Sequence, residues 1–121
     1  LNTLLKGYFR IENSGNIFYF PENSNIDLTF VESSSTVRSL VMLDLYIRAL
    51  VDLNHILIID EPELNLHPKN QRLMARLLAR LVNAGVKIMI TTHSDYIIKE
   101  LNTLIMLKQD DPTLDKIAER Y

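Results

Sequence analysis

Residues 56 to 68 read Ile-Leu-Ile-Ile-Asp-Glu-Pro-Glu-Leu-Asn-Leu-His-Pro, and the reading of this stretch decides the fold. Ile56 to Ile59 form an apolar run short enough for a strand and apolar enough for a fully buried one. Asp60 and Glu61 follow at its C-terminal end, where open α/β sheets place their ligands. Adjacent strand residues point to opposite faces. The two acids therefore serve one site only where the strand ends and the chain turns, and Pro62 makes that turn. Pro68 suits the first turn of a following helix.

Downstream, Leu73, Met74, Leu77, Leu78 and Leu81 recur at helical spacing, with Gly85 placed to cap the helix. Val86 to Thr92 reads as a second apolar strand. Ser94 caps a short helix over 95–101, and Leu104 to Leu107 reads as a further strand. From Gln109 the chain is polar, with Leu114 and Ile117 adding a helical turn. Strand, helix, strand, helix, strand implies parallel pairing with right-handed crossovers. Upstream, Val37, Leu40, Val41, Leu43, Ile47, Leu50 and Val51 mark a helix with a broad apolar face, capped from the run Ser33 to Ser35. Residues 1–31 read as a small antiparallel meander. In it Tyr8 to Glu12 and Ile17 to Phe20 flank the turn cluster Asn13-Ser14-Gly15-Asn16, and Pro21 to Asn25 is a second turn. A third strand follows where Ile26, Leu28 and Phe30 alternate with Asp27 and Thr29.

The 121 residues suit one domain or part of one. A 47% apolar and 23% charged composition is ordinary for a globular chain. A net charge of -2 supplies no global attraction to nucleic acid or to anionic membrane. The absence of cysteine excludes disulfides and thiolate metal sites and agrees with a cytoplasmic location. No apolar run approaches the roughly 18 residues of a membrane span, so no membrane partner is expected. The chain opens on Leu1 rather than methionine and is read as part of a longer protein.

Magnesium takes oxygen ligands and keeps several waters, so one carboxylate beside nucleotide phosphates suffices to hold it. Hydrolysis then needs a second carboxylate to orient or deprotonate water. Asp60 and Glu61 meet both needs, although an acid pair can equally be a solvated strand end or a helix cap. His93, just past the next strand, sits at the same sheet edge, where a histidine can hydrogen-bond a phosphate. It also has a bland reading, as a structural histidine. A phosphate-binding loop G-x-x-x-x-G-K-[ST] needs two closely spaced glycines, whereas the glycines here are Gly7, Gly15 and Gly85. Asp60, Glu61, Glu63, His67 and His93 together offer the donor types of a nuclease-like metal centre. Lys69, Arg72, Arg76 and Arg80 form a basic helix face, either solvated or a nucleic-acid contact without aromatic interleaving.

In combination these segments resemble the C-terminal half of an ABC-type P-loop ATPase domain. The likeness is to the AAA-type, ABC-like ATPases of bacteria and phage-defence systems, relatives of the SMC, RecF and OLD-nuclease ATPases. Ile56 to Glu61 resembles the Walker B strand. Glu63 to Pro68 resembles the family's D-loop, often Glu-x-x-Leu-His-Pro, and Thr91 to Ser94 resembles the switch-histidine loop. Glu32 to Leu40 resembles the signature loop, except that the family usually carries a glycine near Thr36, and a side chain there crowds close backbone approach. The match covers residues 30–107.

The resemblance implies an α/β fold in which the meander of 1–31 precedes an ATPase half-domain of 32–107, with 108–121 as a tail. The phosphate loop would come from an absent N-terminal half. It also implies ATP and Mg2+ as cofactors, with Asp60 toward the metal, Glu61 as general base and His93 as γ-phosphate sensor. Ser34, Ser35, Glu63 and His67 would meet nucleotide across a homodimer, Glu63 and His67 facing the partner subunit. Nucleic acid or a nuclease or toxin effector would be the partner of the longer protein, and the isolated chain would be inactive. A different class of reading is a non-catalytic dimerisation or docking module for such an effector.

Overall fold

A computed structural model describes residues 1–50 and 56–108. A short helix α1 (Asn2–Leu5) leads into strands β1 (Gly7–Ile11), β2 (Ile17–Pro21) and β3 (Leu28–Thr29). Helix α2 (Ser35–Leu45) follows and continues as a wider π-helical turn over Tyr46–Leu50. Then come β4 (Ile56–Asp60), α3 (Pro68–Asn83), β5 (Lys87–Thr91) and α4 (Asp95–Leu107). The first three strands form an antiparallel sheet in the order β1-β2-β3, and β4 and β5 pair in parallel. The register runs from Ile56 opposite Lys87 to Asp60 opposite Thr91. None of the described helices is long and apolar enough to cross a membrane.

The meander is held by cross-strand pairing and one close approach. Tyr8 stacks on Phe20 with ring centroids 5.1 Å apart, and the Arg10 guanidinium lies 4.6 Å over the Phe20 ring. On the other face Tyr19 donates its hydroxyl to the Leu5 and Lys6 carbonyls and packs against Phe9. β3 is shorter than the alternation of residues 26–30 suggests: only Leu28 and Thr29 pair with β2, and Ile26 is exposed. At its start the Ile26 N–H is taken by Ser24 Oγ at 3.2 Å, and at its end Glu32 intervenes. Its carboxylate accepts from the Thr29 backbone N–H at 2.9 Å and the Thr29 hydroxyl at 2.7 Å, so the backbone turns instead of extending.

The helices begin and end on the residues that favour it. Ser34 caps α2 by accepting from the Val37 N–H, and His67 caps α3 by accepting from the Lys69 N–H, with Pro68 behind it. At the far end of α3, Gly85 adopts φ +97°, its N–H reaches the Val82 carbonyl, and the Val86 N–H reaches the Leu81 carbonyl. That is the paired bonding of a Schellman end, which a glycine makes without a Cβ penalty.

Two expectations are corrected here. Residues 104–107 are the last turn of α4 and not a strand. No glycine or proline interrupts 95–107, Ser94 caps the start, and Ile97 and Leu101 keep helical spacing toward the core. β4 is likewise not buried on both faces. Leu57 and Ile59, with Ile88 and Ile90, are half-buried, whereas Ile56, Ile58 and Met89 are exposed, Ile58 at 69%. Among the described residues helices cover one face of the parallel pair, so its burial alternates. The helical turn expected at Leu114 and Ile117 lies outside the described residues, as does Val51.

One core joins the parts. Leu5, Phe9 and Tyr19 from the N-terminal segment cluster with Leu40 and Val41 of α2, Met74 and Leu78 of α3, and Ile97 of α4. α3 and α4 are also joined by an ion pair, Arg76 Nε to Glu100 Oε1 at 2.6 Å, with the Glu100 side chain 9% exposed.

Candidate functional site

The C-terminal ends of β4 and β5 lie side by side and carry the acids and the histidine. Asp60 is the last residue of β4, and Thr91 opposite it donates its hydroxyl to Asp60 Oδ1. Glu61 then leaves the strand direction with φ +45°, a left-handed conformation uncommon for a residue with a Cβ. Its backbone N–H is shared between the Thr91 carbonyl at 3.1 Å and the Thr91 hydroxyl at 3.2 Å. The chain thus turns at Glu61 itself, one residue before Pro62. That turn frees the carboxylate from the alternation that would send it opposite to Asp60. Strained backbone of this kind concentrates at functional sites.

Glu61 Oε1 lies 3.5 Å from His93 Nε2. The imidazole is 90% exposed and the glutamate side chain 33%, so both face an open cleft of about 390 Å³. Glu63, Gln71, Ser94 and Tyr96 also line that cleft.

Glu63 is engaged within its own chain. Its Oε1 accepts from the Thr92 hydroxyl at 2.8 Å and from the His93 backbone N–H at 2.7 Å, while Oε2 is buried without a hydrogen-bond partner. Burial alone would raise its pKa. Hydrogen bonds from the Thr92 hydroxyl and from the backbone of residues 63, 93 and 94 outweigh that and hold the carboxyl below its usual 4.5.

A second tie runs parallel to it: Ser94 donates to Gln71 Oε1, and Gln71 Nε2 donates to the Leu66 carbonyl at 2.9 Å. A third reaches the other way, from the Thr36 hydroxyl to the Asn65 carbonyl at 2.6 Å. The turn over 61–67 is therefore bonded to the start of α2 on one side and to the loop after β5 on the other.

Ser34 and Ser35 stand exposed at the start of α2, Ser34 spending its oxygen as the cap. His67 is exposed with Nδ1 committed to α3. The five side chains weighed as a metal centre do not converge, and the described residues hold no group of three or more acids and histidines able to bind an ion. The basic stripe is also broken up: Arg72 lies 5.6 Å over the Tyr96 ring, and Arg76 pairs with Glu100. Thr36, Gln71, Thr91 and Thr92 were not singled out as bridging groups from the sequence. The Thr-Thr pair directly before His93 is the one local signal, because hydroxyls at a strand end have few other partners.

The comparisons with known proteins follow the same lines. The model of the AAA ATPase domain family matches residues 2–98, and the chain belongs to that family. The chain is similar in structure to one solved in work on the structural biochemistry of ATP-driven dimerization and DNA-stimulated activation of SMC ATPases, with a TM-score of 0.62. Identity is 14%, and the match covers 81% of this chain and 65% of that one. At that identity the likeness is one of fold, and the chain spans less than two thirds of that structure's length. No curated protein matches the chain.

Proposed function

We propose that the chain is the carboxylate-bearing half of an ATP-hydrolysing domain whose phosphate loop is supplied by another segment of the parent protein. The observation that carries this reading is the 3.5 Å approach of Glu61 to His93 across adjacent strand ends, with Asp60 one residue before. Glu61 orients and deprotonates the attacking water. His93 hydrogen-bonds the γ-phosphate. Asp60 and the Thr91 hydroxyl form an all-oxygen donor set, which fits magnesium, and Asp60 would hold the ion. The ion, when bound, supplies charge neutralisation of the β- and γ-phosphates.

The start of α2, with Ser34 and Ser35, and the turn ending at His67 reach nucleotide in a second copy of the domain. The family membership and the SMC-like fold support an assembly that pairs on ATP, with nucleic acid or a nuclease or toxin effector as the downstream partner. The 121-residue chain alone binds nucleotide weakly and does not turn it over, because it lacks the loop whose backbone N–H groups and lysine cradle the phosphates. Turnover of magnesium-ATP by the isolated chain is the result that contradicts this.

The test is ATP turnover by the parent protein beside its Glu61→Gln variant, with a loss of about a hundredfold expected for removal of a general base. A second reading, a non-catalytic dimerisation or docking module, draws on the exposed apolar sheet face of Ile56, Ile58 and Met89. An inactive parent, or a variant as fast as the parent, shifts the conclusion to that module.

A further inference from the structure

The turn after β4 and the loop after β5 are joined through one carboxylate. We propose that Glu63 is a positioning residue for His93: it holds the loop backbone so that the imidazole stands against Glu61. The proposal rests on the reading of Glu61 and His93 as the hydrolytic pair.

Four observations carry it. The His93 side chain is 90% exposed, so packing does not fix it. Apart from the contact with Glu61, the described constraint on residue 93 is its backbone N–H, bonded to Glu63 Oε1 at 2.7 Å. The same oxygen takes the hydroxyl of Thr92, which in turn accepts from the Ser94 N–H at 3.1 Å, so one acceptor orders the loop on both sides of His93. Finally, Glu63 lines the cleft, but its Oε1 is spent on the Thr92 and His93 bonds and its Oε2 is buried without a partner, so neither oxygen is free there as a ligand or base. Its use is as an acceptor at a set reach.

The Gln71 tie makes this testable without unfolding the loop. Gln71 joins Leu66 to Ser94 independently of Glu63, so a change at Glu63 loosens residue 93 while the two segments stay together.

The experiment compares steady-state ATP turnover of the parent protein as wild type, Glu63→Gln and Glu63→Asp, each checked for folding by circular dichroism. Glutamine keeps an oxygen at the same reach, whereas aspartate keeps the charge and is one methylene too short. Glu63→Gln is expected to retain kcat within about threefold, and Glu63→Asp to lose about ten- to a hundredfold. KM for ATP should stay within about threefold in both, as for a misplaced catalytic group.

A loss in Glu63→Gln as large as in Glu63→Asp overturns the proposal, because the site then needs the charge as well as the reach. Two variants matching wild type, or effects confined to KM, overturn it as well. An inactive wild type is a different result: it removes the Glu61–His93 reading itself, and the positioning role with it.

Discussion

Asp60 and Glu61 are chain neighbours, and in an ideal strand their side chains would diverge. Both line a small pocket of about 180 Å³, and Glu61 also reaches the His93 cleft, because it takes φ +45°, a conformation that costs about 1–2 kcal/mol for a residue with a Cβ. Two hydrogen bonds from its N–H to Thr91 help to hold it. Glu63 offers a test at this scale that needs no nucleotide. Its pKa is lowered on folding, so it adds stability above the unfolded value of 4.5 and loses that contribution as pH falls through its folded value. The expected result is a urea midpoint that drops more steeply in wild type than in Glu63→Gln as pH falls below about 4. Parallel curves would show that the Thr92 and His93 bonds do not depend on the charge.

Among the elements, α2 and the turn after β4 meet through the Thr36 hydroxyl and the Asn65 carbonyl. Thr36 stands where the resemblance leads one to expect a glycine, and here its side chain has structural work. Thr36→Val should lower stability by about 1 kcal/mol, the usual net value of one such bond. Thr36→Ser should cost less because the hydroxyl stays. A denaturant melt that ranks valine equal to serine would sink this assignment. At the end of α3, Gly85→Ala should cost about 1–2 kcal/mol, because φ +97° penalises any Cβ, with thermal unfolding as the measurement. An unchanged melting temperature would mean that the Schellman end is not needed to stop α3.

For the whole molecule, the half-buried pair between α3 and α4 and the open face of the parallel sheet matter most. Arg76→Leu leaves the buried Glu100 without this cation and should cost about 1–3 kcal/mol, whereas adding Glu100→Leu should restore much of that. A double variant no more stable than the single would count against the pair as the cause. The exposed Ile56, Ile58 and Met89 are read as an apolar surface that seeks a cover, and an exposed strand edge adds to it. Sedimentation of the isolated chain should show a mass that rises with concentration, and Ile58→Ser with Met89→Ser should reduce the rise. A monomer at all concentrations contradicts this reading.

What the sequence determined by itself was what local chemistry can decide. The apolar run of 56–59 ends in two acids, the serine run 33–35 starts α2, Pro68 and Gly85 bound α3, and the strand–helix–strand order of 56–91 implies parallel pairing. These follow from periodicity and from the few residues that favour chain ends. The tertiary structure alone decided where hydrogen bonds go between segments roughly thirty residues apart: Glu63 to the His93 loop, Thr36 to Asn65, and Thr91 to both acids. It also decided that β4 is covered on one face and that Leu104 to Leu107 continue a helix. A side chain's partner and its burial depend on which elements pack together, and a pattern along one segment carries no record of the neighbour it will meet.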